Sequence, residues 1–160
     1  MSFPMPPASL DLLTGLPLGH RFGVFFLVGG VLPNPLDIRF QRVSGLNAKV
    51  ETRDVVEGGQ NLYTHRLPKR LAYDNLVLER GFVIGSPLNI EFNTAMTAFQ
   101  FAPSNVIVTL FSERAVPLAA WMFIKAWPVR WSTADLDASD GKILVDTLEL
   151  AYSRMQVMRI

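Results

Sequence analysis

Only one stretch of this 160-residue chain repeats its apolar residues at the spacing of an α-helix. Ser86 offers an N-cap and Pro87 suits the first helical position, so the sequence predicts a helix that begins there. The apolar stripe that follows consists of Leu88, Phe92, Ala95 and Phe99. A single helix in a chain of this length favours a mainly β fold.

The remaining chain alternates short apolar runs with glycine, proline and polar breaks, which is typical of strands and turns. The first run is apolar on both faces, and we expect it to be buried on both sides. Leu67–Pro68 is predicted to end a strand, and the last run shifts its apolar phase as a β-bulge would cause. The predicted strands are 20–28, 36–43, 46–56, 61–66, 74–80, 105–111, 119–126, 129–131 and 144–158. This pattern indicates an antiparallel β-sandwich or barrel with one flanking α-helix.

Residues 1–19 form a predicted extended N-terminal arm, and residues 20–160 a single β domain. Four prolines exclude a regular helix or a central strand from the arm. The arm nevertheless carries apolar side chains that are costly to leave in water: Phe3, Met5, Leu10, Leu12, Leu13 and Leu16. It either folds back over its own core or lies on a neighbouring subunit.

The composition favours self-association. Hydrophobic residues make up 49% of the chain and charged residues 18%, against about 25% in an average soluble protein. No apolar run approaches the roughly 18 residues of a membrane span, so we expect no membrane insertion. Without an N-terminal signal sequence, the chain is expected to be made and kept in the cytoplasm until a larger assembly carries it away.

Nothing in the sequence resembles a catalytic or cofactor site. His20 and His65 stand far apart, and no nucleotide-binding or nucleophile motif occurs. A net charge of +1 gives no field for nucleic-acid binding, and the absence of cysteine excludes thiolate metal sites. We therefore expect no enzyme activity, no cofactor and no specific nucleic-acid partner.

Two further groups of residues have an ordinary and a functional interpretation. Asp135, Asp137 and Asp140 imitate a calcium loop but lack its glutamate, so a solvated acidic loop is favoured. The tryptophans at 121, 127 and 131 could stack on a sugar or a base, but tryptophans in apolar strands more often belong to a core or an interface.

Several segments in a fixed order carry a family resemblance. The order begins with Phe22 and Val24 in the first strand and continues with FQRVSGL at 40–46, VVEGGQN at 55–61, Leu67–Pro68 and NLVLERG at 75–81. The last third adds Trp121, Trp127–Pro128, DLDA at 135–138 and LELAY at 148–152. Together these segments resemble the tail tube protein family of contractile phages, which also occurs in extracellular contractile injection systems.

The resemblance implies a structural subunit of the inner tube of an injection particle. Six copies would join edge to edge into a ring around a channel, and rings would stack inside a sheath on a baseplate. The polar hairpin 48–66, which carries charges of both signs, would face the channel or the next ring, and Glu57–Gly59 would meet the adjacent ring. The expected interface or lumen residues are Lys49, Glu51, Arg53, Asp54, Glu57, Gly58, Gly59, Asn61, Tyr63 and Arg66.

Three departures from the family pattern favour a specialised layer. Phe92 stands where the family tends to have tryptophan, the arm is long and apolar, and residues 155–160 are also apolar. These features suit an initiator that joins the tube to the baseplate hub, with the repeating tube subunit as the other possibility. A small-ligand-binding β-barrel is the alternative from a different class, and it predicts a stable monomer with clean in-and-out alternation on every strand.

Overall fold

The structure is a computed structural model that describes residues 21–27, 39–59 and 62–159. The predicted arm, residues 1–19, lies outside these ranges, as do His20, Asn61 and most of the residues between the first two strands.

The described residues form nine strands and one helix. In chain order they are β1 Phe22–Leu27, β2 Arg42–Ser44, β3 Ala48–Val55, β4 His65–Tyr73, β5 Leu76–Gly81, α1 Pro87–Ala98, β6 Ser104–Phe111, β7 Pro117–Thr133, β8 Val145–Ala151 and β9 Arg154–Arg159. Every strand pair is antiparallel. The predicted mainly antiparallel β fold with one flanking helix is confirmed.

Strand β7 belongs to both layers of the fold. Its first half pairs with β6 on one side and β9 on the other, and its second half pairs with β8. One layer therefore has the order β1-β6-β7-β9, and the other has the order β7-β8-β5-β2. Because both layers contribute to one core, the long strand ties them together.

The change of layer takes place at Lys125, opposite the break between β8 and β9. Lys125 has a φ of 55°, and its backbone N–H donates to Asn105 Oδ1 at 3.1 Å. At the break between β8 and β9, the Ser153 N–H donates to the Ile124 carbonyl of β7 at 3.0 Å. The positive φ in β7 and the break between β8 and β9 let the ladder bend while these two N–H groups stay paired.

Two predictions of strand boundaries in β7, β8 and β9 are wrong. Predicted strands 119–126 and 129–131 are one strand, because Pro128 is accommodated where the register shifts between Pro128 and Arg130. The predicted final strand 144–158 is divided into β8 and β9 at Tyr152–Ser153, where the sequence showed only a phase shift.

The core lies between the layers and is made by alternating residues. Its fully buried members are Val24, Leu76, Leu78, Val106, Val108, Phe123 and Leu150. The prediction that β1 is buried on both sides is wrong for this single chain. Val24 and Phe26 enter the core, whereas Leu27 is 36% exposed and Phe25 is half-buried, because no described element packs over their face of the sheet.

Helix α1 begins as predicted, with Ser86 as the N-cap, but its apolar stripe is shorter than predicted. Leu88 and Phe92 are buried, and the Phe92 ring lies edge-on to Phe26 and Trp131, with centroids 6.1 Å away in each case. Phe99 is not part of the stripe, since its left-handed φ of 50° ends the helix and leaves its side chain 83% exposed.

Tyr152, at the β8–β9 break, is held in the core by ring contacts. Its centroid lies 4.8 Å from Phe123 and 5.5 Å from Tyr73. Its hydroxyl is buried and makes no hydrogen bond to any described residue. Burial, with smaller contributions from Tyr73 and Asp74, raises the pKa of Tyr152 to about 12.

We expect Tyr152→Phe to leave the free energy of unfolding at pH 7 unchanged or up to about 1 kcal/mol higher, because it removes a buried unpaired hydroxyl. Folding favours the neutral phenol, so ionisation of Tyr152 leaves the free energy of unfolding of the wild type unchanged below pH 10 and lowers it as the pH rises towards 12. Urea unfolding of both proteins and absorbance titration of the tyrosines measure these effects. Tyr63→Phe is the exposed control, and a loss above about 1 kcal/mol in Tyr152→Phe would contradict the unpaired hydroxyl.

Candidate subunit interface

Strands β3 and β4 form a hairpin that stands apart from the two layers. They pair with each other and with no other described strand, and most of their residues are exposed. The predicted end of the strand at Leu67–Pro68 is wrong, because β4 continues to Tyr73. Pro68 fits within the strand because a register shift leaves the next residue, Lys69, without a partner on β3.

One face of the hairpin is apolar, although the sequence predicted a polar surface. Cross-strand partners share a face, so the apolar face consists of Ala48, Val50, Thr52, Pro68, Leu71 and Tyr73. Val50 and Leu71 stand opposite each other and are 51% and 56% exposed. The apolar face ends near the tip at an ion pair between Arg66 Nε and Asp54 Oδ1, 3.4 Å apart.

The opposite face is charged. Arg70 Nε donates to Glu51 Oε2 at 2.6 Å, and this hydrogen bond lowers the pKa of Glu51 below its ordinary value. Lys49 and Arg53 lie on the same face as this pair. From 48 to 73 the hairpin carries five basic and three acidic side chains, so charges of both signs meet the solvent.

The tip of the hairpin holds the glycines predicted to lie at an interface. Gly59 has a φ of +92°, as expected of the turn, whereas Gly58 does not need the left-handed region. Glu57 Oε1 lies 3.9 Å from His65 Nε2, and the Tyr63 ring is edge-on to His65 with centroids 5.1 Å apart.

Gly45 and a side-chain hydrogen bond hold the base of the hairpin. Gly45 has a φ of +87°, and a Cβ there would lie 2.1 Å from the Asn75 carbonyl oxygen. The two ends of the hairpin are also joined by Asn47 Nδ2, which donates to Asp74 Oδ2 at 2.8 Å. These contacts fix the direction in which the hairpin leaves the domain.

The structure separates the predicted residues into three groups. Lys49, Glu51 and Arg53 lie on the charged face. Asp54 and Arg66 form the ion pair at which the apolar face ends. The tip consists of Glu57–Gly59 and Tyr63. Asn61 lies outside the described residues. Sequence reasoning missed Val50 and Leu71, since their pairing becomes apparent only when β4 is extended through Pro68.

The acidic loop after β7 folds as a local turn. Asp137 Oδ1 accepts from the Ser139 N–H at 2.9 Å and from its hydroxyl at 2.6 Å, and both bonds lower the pKa of Asp137. In the ranges that the structure describes, no group of three or more histidine or acidic side chains is arranged to hold a metal ion. The same ranges contain no helix with the length and apolar character of a membrane span.

Comparisons with known proteins agree with this architecture. A family model described as T4-like virus tail tube protein gp19 matches residues 19–156. A chain in a cryo-EM structure of the anti-feeding prophage (AFP) baseplate, 6-fold symmetrised, is 36% identical with a TM-score of 0.82, covering 99% of this chain and 98% of that one. A comparison with curated proteins found no match.

Two more distant structures share the fold. A chain of an extracellular contractile injection system, the PVC sheath-tube complex in its extended state, is 19% identical with a TM-score of 0.77, covering 98% of this chain and 100% of that one. A chain of the AFP tube-terminating cap is 21% identical with a TM-score of 0.74, covering 100% and 94%.

The two-layered β fold, the flanking helix α1 and these matches define a tail tube protein of the contractile injection systems. The family model spans most of the chain, so the protein belongs to the T4-like virus tail tube protein gp19 family.

Gly45→Ala should lower the free energy of unfolding by at least about 2 kcal/mol, because it adds left-handed strain and a backbone clash. Gly58→Ala is the matched control, since a Cβ there meets no atom within 4 Å. Urea unfolding of both variants measures the difference. Equal stability of the two would show that the base of the hairpin is not held as described.

Proposed function

We propose that this chain is a ring-forming subunit of the inner tube of a contractile injection particle, in the layer next to the baseplate. Its partners are further copies of itself, adjacent tube or baseplate hub proteins, and a sheath outside the tube. It is made in the cytoplasm and then becomes part of the particle. The exposed apolar face of the β3–β4 hairpin is the observation that carries this proposal.

A hairpin with one apolar face and no second layer is unfavourable in water. Isolated two-stranded hairpins are marginal, and they gain stability when an apolar face packs on another element. The hairpin pairs with no other described strand, and Val50 and Leu71 on its apolar face are each about half exposed. Packing the apolar face on a neighbouring copy gives it the missing layer.

Free sheet edges support a ring. Among the described strands, β1 and β9 each pair on one side only and are the two edges of one layer. Exposed edges are liabilities in a monomer, and pairing one edge with the other edge of the next copy is a heterologous contact that can close into a ring. The proposed number of six copies follows the 6-fold symmetrised baseplate structure that contains the 36% identical chain.

The position of the subunit next to the baseplate is inferred from the sequence identity to each solved structure. The 36% match is to a chain in a baseplate structure, whereas the chains of the sheath-tube complex and the cap match at 19% and 21%. We therefore favour the initiator role over the repeating tube subunit.

The charged face of the hairpin, with charges of both signs, suits a water-filled channel that does not retain its cargo.

The small-ligand barrel is less well supported. The space between the layers is filled by side chains such as Phe123, Leu76 and Leu150. Among the described residues, the cavity at the Arg80 and Asp146 end of this core has a volume of about 10 Å³, which is the size of one water molecule. A larger space of about 260 Å³ lies between α1 and β7, and it is smaller than the roughly 300–1,000 Å³ of ordinary ligand pockets.

Negative-stain electron microscopy and light scattering of the purified protein test the ring. We expect sixfold rings for the wild type and loss of rings in Leu71→Lys, which places a charge on the apolar face. Leu67→Lys is the matched control, because Leu67 is similarly exposed on the charged face, and its rings should persist. Free tubes of indefinite length would favour the repeating subunit, and a monomer that co-expressed baseplate proteins also fail to recruit would favour the ligand barrel.

Replacement of Gly58 and Gly59 by valine tests the contact between layers. Both glycines are exposed at the tip, so the substitutions should prevent stacking on the adjacent ring or baseplate. Gly58→Val alone should leave single rings intact, because a Cβ there meets no atom within 4 Å, whereas a side chain at Gly59 is strained by its φ of +92°. Electron microscopy of assembled particles measures the stacking. Normal stacking of the valine variant would show that the tip does not meet the adjacent ring.

A further inference from the structure

The two halves of helix α1 are attached to the domain very differently. The first half, residues 87–92, is anchored by Leu88 and Phe92, which are the buried side chains of this helix. In the second half, residues 93–98, every side chain is exposed or only partly buried, and Ala95 continues the stripe of Leu88 and Phe92. Burial of apolar surface therefore stabilises the first half and contributes little to the second.

A buried polar network also holds the first half. Arg80 on β5 is 4% exposed, and its Nη2 donates to the Ser86 hydroxyl at 2.9 Å and to Asn89 Oδ1. Asn89 Nδ2 in turn donates to the Val83 carbonyl at 3.3 Å. These hydrogen bonds tie the N-cap and the first turn to the sheet, because bonds that involve a buried charge are costly to break.

The groove between α1 and β7 lies beside the second half of the helix. Thr94 and Ala95 of the helix line it, together with Val106 and Leu150 of the core, and its volume is about 260 Å³. The small side chain of Ala95 leaves much of this space unfilled. The second half of the helix therefore lacks part of the dispersion energy that close packing supplies.

The second half of α1 is also a weak helix by itself. Asn93, Thr94 and Thr97 have low helix propensity, and the Thr94 hydroxyl donates to the Ile90 carbonyl at 2.8 Å, which weakens the helix slightly. No basic residue in the last turn offsets the helix dipole. Phe99 ends the helix with a φ of 50°, a left-handed conformation that glycine adopts with less strain.

The chain is anchored again just after this segment. The Phe101 ring lies edge-on to the Trp127 ring of β7, with centroids 5.7 Å apart, and β6 begins at Ser104. Residues 93–100 thus form a strap that is fixed at Phe92 on one side and at Phe101 on the other.

We propose that this strap opens as one unit while the rest of the domain stays folded. Segments with few buried contacts open locally at a free energy far below that of global unfolding. Opening breaks the hydrogen bonds of the last helical turns and leaves those of Arg80 with Ser86 and Asn89 in place. It widens the groove beside Val106 and Leu150, so the subunit has a second state with more apolar surface exposed. The inference does not depend on the ring or on the position next to the baseplate.

Hydrogen exchange of the purified protein, resolved to single residues by mass spectrometry, tests the strap. We expect the amides of residues 93–98 to share one protection factor, at least about a hundredfold below those of residues 90–92 and of β5. A common value indicates a single opening, whereas ordinary fraying gives protection that falls stepwise towards residue 98. Stepwise protection, or protection equal to that of residues 90–92, overturns the inference.

Ala95→Leu tests whether the groove is the cause. The larger side chain adds apolar contacts in the groove, so the protection of residues 93–98 should rise about tenfold. Ala98→Leu is the matched control, because Ala98 is exposed, does not line the groove and undergoes the same change in helix propensity. Equal protection of residues 93–98 in the two variants would overturn the inference that poor packing lets the strap open.

Thermal unfolding of both variants shows whether each still folds. If leucine at position 95 is overpacked and lowers the melting temperature, Ala95→Met replaces it in the comparison, since the flexible methionine side chain adapts to an irregular space. The same tenfold rise over Ala98→Leu is expected, and its absence overturns the inference.

Discussion

The bend in strand β7 is the constraint on which the rest of the fold depends. At Lys125 one strand leaves the layer of β6 and β9 and enters the layer of β8 and β5. Two backbone N–H groups at the bend keep partners, because the Asn105 side chain accepts from Lys125 and the Ile124 carbonyl accepts from Ser153. Tyr152 and Phe123 pack together at the same level, so the bend also brings aromatic side chains into the core.

The two layers use their buried faces to make the core, and several surfaces are covered by none of the described residues. These are the apolar face of the β3–β4 hairpin, the edges at β1 and β9, and the groove beside α1. Each would be a liability for a solitary protein, and each suits a subunit that is completed by its neighbours. The low charge of the chain agrees with this pattern, since residues that face another subunit do not need to be charged.

Much of the fold and less of the candidate interface could be predicted from the sequence. Ser86 and Pro87 located the start of the helix, and alternating residues located β5, β6 and β8, because these signals act within a few residues. The end of the helix was harder, since nothing in the stripe showed that Phe99 would turn into the left-handed region. On the hairpin, the glycine turn and the charged residues were found, but Val50 and Leu71 were not.

The sequence by itself determined the class of fold, the start of helix α1, the turn at Gly59 and the family, since each depends on local residue types and their order. Only the tertiary structure decided that Pro68 and Pro128 lie within strands, because a bulge in the pairing removes the need for their missing N–H groups. Only the pairing of β3 with β4 places the apolar side chains of the hairpin on one face. Contacts between distant segments decide which face a side chain occupies, and periodicity within one segment cannot supply them.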